Sequence, residues 1–285
     1  MVRTGAGQRK IMLLALLPLL IWIGAFELIP IIRMLILSFQ DSNGQGFTLG
    51  HYVKGLSGPL YVQALTNSLR IALLSGVMAV LVALLCAYSI TRFTTRMRDS
   101  LLMLTNMIGN FAGVPLAFAF MILLGNNGVF TIMARKFGIE TFGTFDLYSE
   151  LGLTLIYVYF QVPLAVMLLY PAYYGIREEW REAASVLGAS AFRFWRHIGV
   201  PMLLPSIVGT FGMLFANALG AYATAYALTG SNYNLLAIRI SALVSGDIFP
   251  NFELGSALAV ILAMIMLLAI LLNEWMSRVS RRRGL

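Results

Sequence analysis

Six long apolar segments, separated by shorter polar stretches, dominate the pattern along the chain. They lie near residues 11–37, 66–91, 101–124, 151–174, 205–228 and 255–277. Each is long enough to cross a hydrocarbon layer of about 30 Å as a helix. Backbone groups must be hydrogen-bonded within lipid, and no segment alternates apolar and polar residues as a barrel strand does. The pattern therefore predicts an all-α, polytopic membrane protein, with six transmembrane helices in a single domain over 1–285.

Composition supports this class. Hydrophobic residues make up 59% of the chain and charged residues 11%, whereas soluble domains average about 25% charged residues. The single cysteine, Cys86, excludes an intrachain disulfide, and it cannot build a metal site with only His51 and His197 available. We expect Cys86 to be a small buried side chain.

The basic residues, which give a net charge of +8, predict the orientation. Fourteen of the twenty flank the segments on one side: Arg3, Arg9, Lys10, Arg92, Arg96, Arg98, Arg177, Arg181, Arg193, Arg196, Arg278, Arg281, Arg282 and Arg283. Because cytoplasmic loops of membrane proteins carry an excess of Lys and Arg, both termini are expected in the cytoplasm. The charge is thus a topology signal, and nucleic-acid binding is not expected.

The first apolar segment follows Arg3, Arg9 and Lys10, as the core of a signal peptide would. Its apolar run is longer than the usual core of such a peptide, and no convincing small-residue cleavage site follows it. We therefore expect a retained first helix in a multi-pass protein of the bacterial inner membrane.

The long loop 175–204 between the fourth and fifth segments differs from the others because it is helix-forming. Acidic residues open a first predicted helix over 178–187, where the helix dipole favours them. Gly188 is expected to end that helix, and Ser190 to cap a second one over 191–198. Pro201 is expected to prevent its continuation. Phe192 and Trp195 would offer apolar anchors to a partner, although an amphipathic element lying on lipid is an alternative.

One motif in this loop resembles a known family. Glu182, Ala183 and Ala184 are followed by Gly188, then by Ile198 and Pro201, which resembles the EAA loop of ABC importer permeases. That pattern has Glu-Ala-Ala, three residues, Gly, nine residues, Ile, one residue and Leu-Pro. Val200 stands in place of the usual Leu. The six-segment layout extends the resemblance to a type I importer, and weaker cues place it near the spermidine/putrescine-type permeases.

The resemblance implies a non-catalytic transport subunit with partners. The EAA loop would dock in a cytoplasmic ATPase, so that Glu182, Ala183, Ala184, Gly188, Phe192, Trp195, Ile198 and Pro201 would be the coupling residues. The chain has no phosphate-binding loop of the Gly-x-x-x-x-Gly-Lys-Ser/Thr type. It would therefore hold no cofactor, and ATP and Mg would be bound by the partner. Two ATPase subunits, a second and different permease chain, and an extracytoplasmic solute-binding protein would complete the transporter in the lipid bilayer.

Polar residues inside the apolar segments are candidates for a translocation path, because they are costly in lipid. Asn106 and Asn110 share one helix face, as do Tyr157 and Gln161, while Asn217 and Tyr222 lie in the fifth segment. The same side chains could instead bond helices together or sit at the membrane interface. Both interpretations stay open at this stage.

Two other classes of function are less well supported. A secondary transporter driven by an ion gradient would need paired charges at mid-membrane, and Glu27 is the only acid well within a segment. Glu27 could attract a cationic solute, but we favour an ion pair with Arg33 or Arg70. An intramembrane enzyme is not favoured, because the segments contain no His or Lys. The sequence does not identify the transported solute.

Overall fold

The structure is a computed structural model that describes residues 16–41, 46–138, 144–246 and 250–282, with side chains up to residue 276 in the last range. The described part is almost entirely helical, with a single antiparallel bridge between Gln40 and Phe47 as its extended pairing. The all-α class is confirmed. Arg3, Arg9, Lys10, Arg283 and the beginning of the first predicted segment lie outside the described residues.

The described residues form twelve helices in chain order. They are α1 (Leu16–Ser38), α2 (Gly50–Ser57), α3 (Pro59–Thr91), α4 (Thr95–Gly109), α5 (Val114–Leu124), α6 (Val129–Lys136), α7 (Glu150–Tyr173), α8 (Glu178–Val186), α9 (Ala191–Gly220), α10 (Tyr222–Thr229), α11 (Leu236–Ser245) and α12 (Phe252–Arg282). Six stretches among them are long and apolar enough to span a membrane: α1, α3, α5 with α6, α7, α9 and α12. The predicted number of spans is confirmed.

Two predicted segments are broken rather than continuous. The segment 101–124 is divided between α4 and α5, with a break at residues 110–113, and Gly113 adopts φ +74°. The segment 205–228 is divided between α9 and α10 at Gly220 and Ala221. Hydropathy could not find these breaks, because each is only a few residues long and apart from Asn110 contains small or apolar residues.

The expected end of the second loop helix at Pro201 is wrong. α9 begins at Ala191 and continues past Pro201 to Gly220. A π-helical turn over Trp195–Gly199 lets the N–H of Val200 donate to the carbonyl of Trp195, five residues back. This turn resets the hydrogen-bond register, so that Pro201, which has no N–H, occupies the first turn of the following α-helical stretch.

Contacts divide the described residues into two units. The smaller unit contains the chain up to Tyr61 together with Ile240–Ile261, and the larger contains Val62–Arg239 and the chain from Leu262 onwards. In the smaller unit, His51 Nε2 lies 3.1 Å from the carbonyl of Gln40. The division falls inside helices α3, α11 and α12 rather than at linkers, and the single domain over 1–285 stays a prediction.

The core of the larger unit lies between α3, α7 and α9. Small side chains recur where the helices meet, at Ala79, Ala83, Ala87 and Ala165, and larger ones such as Leu214 fill the space between them. Helix association in lipid relies on close packing rather than on the hydrophobic effect, and alanines permit that close approach. These three helices are therefore the rigid frame on which the candidate sites are built.

Candidate functional site

A cavity of about 640 Å³ lies beside both helix breaks in the larger unit. Helices α4, α7, α9 and α10 form its walls. Four of the six residues predicted for a translocation path line it: Asn106, Asn110, Asn217 and Tyr222. Sequence reasoning placed these residues in two separate segments, and the structure brings them to one site.

Side chains of neighbouring helices hold the two breaks in place. The N–H of Gly113 donates to Thr224 Oγ1 at 3.0 Å, and the Tyr157 hydroxyl donates to the carbonyl of Ala221 at 2.9 Å. Each bond satisfies a backbone group that lost its helical partner, which is required of irregular backbone at membrane depth. Gly113 combines φ +74° with ψ −144°, a conformation that is essentially restricted to glycine.

The chemistry of this cavity is polar but uncharged. Its described lining residues are Thr105, Asn106, Gly109, Asn110, Ala112, Gly113, Phe160, Pro163, Leu164, Met167, Asn217, Gly220, Ala221, Tyr222, Ala223 and Thr224, and none of these carries a charge. Asn110 Nδ2 donates to the carbonyl of Asn106 at 2.8 Å, so this amide also closes the end of α4. Such a wall offers amides, hydroxyls and an aromatic ring to a polar solute, without a fixed counter-ion.

Tyr157 and Gln161 lie apart from this cavity, inside the helix packing. Gln161 is fully buried, and its Nε2 donates to Ser75 Oγ on α3 at 3.1 Å, while its Oε1 has no partner among the described residues. Tyr157 is 3% exposed and supports the second break. The geometry favours the helix-bonding interpretation for these two residues.

Sequence reasoning missed the glycines that open the cavity. Gly113 and Gly220 both line it, and both stand at helix ends. The available signal was a pair of glycines four residues apart, Gly109 and Gly113, and the small pair Gly220 and Ala221, each inside an apolar segment. Because glycine also occurs within continuous transmembrane helices, that signal alone could not establish a break.

The loop 175–204 forms the predicted pair of helices with a sharp bend. Gly188 adopts φ +73°, and the N–H of Ala189 donates to the carbonyl of Ala184 at 2.9 Å, which closes the end of α8. Ser190 Oγ accepts the N–H of Arg193 at 3.3 Å and begins α9. The predicted bend at Gly188 and the cap at Ser190 are confirmed.

A groove of about 530 Å³ lies between α8 and α9. Its lining residues are Trp180, Ala183, Ala184, Leu187, Ala189, Arg193, Phe194, His197 and Ile198. Three motif residues, Ala183, Ala184 and Ile198, are thus in one concavity, while Glu182 is exposed outside it. Leu187 and Phe192 are 86% and 74% exposed.

Trp195 does not present an anchor to the outside. It is half-buried, and its ring lies edge-on to Tyr88 of α3 and Phe194 at centroid distances of 5.3 and 5.9 Å. A Cβ on Gly199 would lie 2.3 Å from this ring, so glycine is needed there for close packing. Trp195 therefore fastens α9 to α3, and Phe192 is the exposed aromatic of the pair.

Glu27 lies exposed in a π-helical turn of α1, at Gly24–Leu28. Among the described residues, Glu27 forms no ion pair with Arg33, one of its two expected partners. Glu27 is the only acidic residue of this turn, so the turn does not provide the paired carboxylates that would suggest a cation site. The role of Glu27 stays open.

A protein-family comparison identifies the chain. Residues 79–283 match the family described as binding-protein-dependent transport system inner membrane component. The chain belongs to this family. It is the permease subunit of an ABC importer and a multi-pass protein of the bacterial inner membrane, as its sequence predicted. As a transport subunit it is not an enzyme and carries no cofactor of its own.

The similarity to curated relatives extends over most of the permease. It is 26% identical over 275 residues to the spermidine/putrescine transport system permease protein PotB of Haemophilus influenzae, covering 92% of each chain. It is 25% identical to the corresponding protein PotC of Escherichia coli, covering 86% of this chain and 88% of that one. The likeness therefore includes the N-terminal helices that lie outside the family match.

Solved structures share the fold of the permease. A chain of a bacterial ABC transporter that imports the acidic polysaccharide alginate aligns with a TM-score of 0.72 at 20% identity, covering 95% and 96% of the two chains. A chain of the inward-facing methionine transporter MetNI aligns with a TM-score of 0.59 at 16% identity, covering 78% and 96%. The predicted ABC importer fold is confirmed, and the ion-driven secondary transporter is not favoured.

Proposed function

We propose that the loop 175–204 couples this permease to a cytoplasmic ATPase, and that the cavity beside the helix breaks is part of the solute pathway. The observation that carries the coupling role is the groove itself. Ala183, Ala184 and Ile198 line a concave surface whose small side chains admit a close approach, beside the exposed Leu187 and Phe192. If the loop faces the cytoplasm, as proposed, these side chains would be covered by a partner rather than by water.

The charge of α8 suits a specific contact. Glu182 is exposed beside the groove, on a helix that also carries Glu178 and Glu179 in its first turn. Glu182 would meet a basic or hydrogen-bonding group of the ATPase, while Gly188 sets the angle between the two helices. Phe192 would be the aromatic anchor in the partner, whereas Trp195 and Pro201 support α9 from inside the permease.

The solute would pass Asn106, Asn110, Asn217 and Tyr222, which line one cavity beside the two helix breaks. Interrupted helices with their unwound backbone beside a cavity are a recurrent construction of solute sites in transporters. The uncharged lining would solvate a polar solute without holding it tightly. Tyr157 and Gln161 would position the helices around this pathway.

We further propose that the solute is a small organic cation of the polyamine class. The supporting observation is the similarity to permeases whose names specify spermidine and putrescine. The cavity is compatible with a cation, since amide and backbone carbonyl oxygens and the face of Tyr222 can solvate an ammonium group. Selection would rest largely on an extracytoplasmic binding protein.

The complete transporter would contain two ATPase subunits, this permease, a second and different permease chain, and the binding protein. Both termini of this chain would be cytoplasmic. The ATPase subunits would bind ATP and Mg, and nucleotide binding would favour the outward-open permease, so each state would stabilise the other.

Affinity purification from the native membrane in mild detergent tests this proposal. The intact chain should recover an ATPase and a second permease, and the variant Glu182→Lys should recover less ATPase while remaining inserted. Asp99→Lys is the matched control, because Asp99 is an exposed acid of α4 outside the groove. Equal ATPase recovery with both variants would refute the coupling role, and ATP-independent uptake by the chain alone in proteoliposomes would refute the partner requirement.

A further inference from the structure

A second cavity, of about 400 Å³, lies where α3 and α7 end and α8 begins. Three arginines line it: Arg92 just after α3, Arg177 just before α8, and Arg181 within α8. Apart from Phe194, none of its lining residues belongs to the groove, and it shares none with the pathway cavity. Seven of its twelve lining residues, from Ile176 to Trp195, belong to the loop 175–204, but all except Phe194 lie outside the groove proposed for docking. We call it the arginine cavity.

Aromatic rings form the floor of the arginine cavity. Trp195 lies edge-on to Tyr88 at a centroid distance of 5.3 Å and to Tyr173 at 6.4 Å, and the Tyr173 hydroxyl donates to the carbonyl of Leu84 at 2.8 Å. These rings are half-buried and fixed by one another. Tyrosine and tryptophan at the ends of membrane spans occupy the depth of the lipid headgroups, because their rings are apolar and their tips polar.

The guanidinium groups above this floor differ in how they are held. The Arg92 guanidinium lies 5.0 Å from the ring centroid of Tyr88 and donates to its hydroxyl at 2.8 Å. Arg181 pairs with Glu178 at 3.1 Å. Arg177 is exposed at the start of α8, and Glu179 is the second carboxylate at the cavity. With three arginines and two glutamates, the lining retains one net positive charge.

A stripe of apolar residues on α3 leads directly to Arg92. Leu81, Leu85 and Tyr88 lie on one face of α3, at intervals of four and three residues, and Arg92 follows four residues later, just beyond the end of the helix. Leu81 and Leu85 are 58% and 72% exposed. An exposed apolar stripe that ends in an aromatic ring and an arginine matches the order of acyl chain, interface and headgroup in a phospholipid.

We propose that the arginine cavity binds the phosphate of an anionic phospholipid, whose acyl chain lies along Leu81 and Leu85. Guanidinium groups suit phosphate because their planar donors form paired, charge-assisted hydrogen bonds with its oxygens. Arg92 and Arg177 supply these donors, and Glu179 weakens the site by repulsion. A soluble phosphate compound would present the same chemistry, and the test separates the two sources.

The test measures phosphatidylglycerol binding to the purified full-length chain by native mass spectrometry in mild detergent. Arg177→Gln should weaken binding about fivefold, which is the contribution of one basic side chain near an anionic surface. Glu179→Gln should strengthen binding by a similar factor. Arg96→Gln is the matched control, because Arg96 is an exposed arginine of α4 outside the cavity, and it should bind as the original chain does.

A second arm uses inorganic phosphate and chloride at equal ionic strength and records the midpoint of thermal unfolding. A stabilisation by phosphate that Arg177→Gln removes and Arg96→Gln keeps, without selective lipid retention, would support the site and assign it to a soluble ligand. The proposal is overturned if Arg177→Gln and Glu179→Gln bind phosphatidylglycerol as Arg96→Gln does and phosphate produces no Arg177-dependent shift.

Discussion

The bend at Gly188 gives the sharpest test of how the loop 175–204 is built. Gly188 has φ +73°, and a Cβ placed on it would meet nothing within 4 Å. A substitution there would consequently strain the backbone without causing a steric clash. The left-handed conformation costs a residue with a Cβ about 1–2 kcal/mol, and asparagine, whose short polar side chain bonds locally, tolerates it better.

This cost predicts a graded series of variants. If the partner requires the bent loop, Gly188→Ala should weaken ATPase binding about 5- to 30-fold, the factor that corresponds to 1–2 kcal/mol. Gly188→Asn should have a smaller effect, and Gly188→Val a larger one, since β-branched residues are outliers at positive φ. The assay is a titration of the detergent-solubilised permease with its ATPase, alongside the thermal unfolding midpoint of each variant.

Gly209→Ala is the control for this series. Gly209 lies within α9 without a positive φ, and its Cβ would also meet nothing within 4 Å. The same chemical change there should leave ATPase binding unchanged, because alanine is a better helix former than glycine. An ATPase affinity of Gly188→Ala equal to that of the original chain would show that the left-handed bend is not needed for docking.

Three further predictions concern the cavity and the packing around it. Gly113→Ala should impair solute uptake in proteoliposomes, because the backbone conformation of Gly113 costs other residues about 1–3 kcal/mol and the Gly113 N–H donates to Thr224 Oγ1. Unchanged uptake would mean that the break tolerates the strain or is not used. Gly212→Ala should lower the thermal unfolding midpoint by an amount that reflects about 1–3 kcal/mol of overpacking, because its Cβ would lie 2.7 Å from Asn273 Nδ2. Asn217→Ala should alter the rate or apparent affinity of uptake while the unfolding midpoint stays within measurement error, as this side chain is exposed in the cavity.

Hydropathy and local rules were sufficient for the number of spans and for the bend, although the third and fifth spans lie at Val114–Lys136 and Ala191–Gly220 rather than near 101–124 and 205–228. Six apolar segments predicted six spans, since segment length and backbone hydrogen bonding leave few alternatives in lipid. Gly188 and Ser190 were enough to predict the bend and the cap, because both features depend on residues within one helical turn. These features depend on neighbours in the sequence, and a single chain is enough to predict them.

The breaks and the orientation of Trp195 depend on contacts that are distant in the sequence. The break at Gly113 is satisfied by Thr224, 111 residues away, and the break at Ala221 by Tyr157, 64 residues away. Trp195 was expected to be an apolar anchor for a partner, yet its ring packs edge-on against Tyr88 of α3 and is half-buried. Local patterns contain no information about such partners, so these positions could not be predicted.

The continuous course of α9 links the two candidate sites. Ile198 lines the groove and Asn217 lines the pathway cavity, and both belong to this one helix. The 19 residues between them correspond to about 28 Å at the helical rise of 1.5 Å per residue. If an ATPase moves the groove as proposed, a helix of this length transmits the displacement to Asn217 and Gly220, where the chain is already interrupted. The break at Gly220 and Ala221 would then be the place where a motion of α9 is taken up, while the bond from Tyr157 limits how far the backbone of Ala221 can follow.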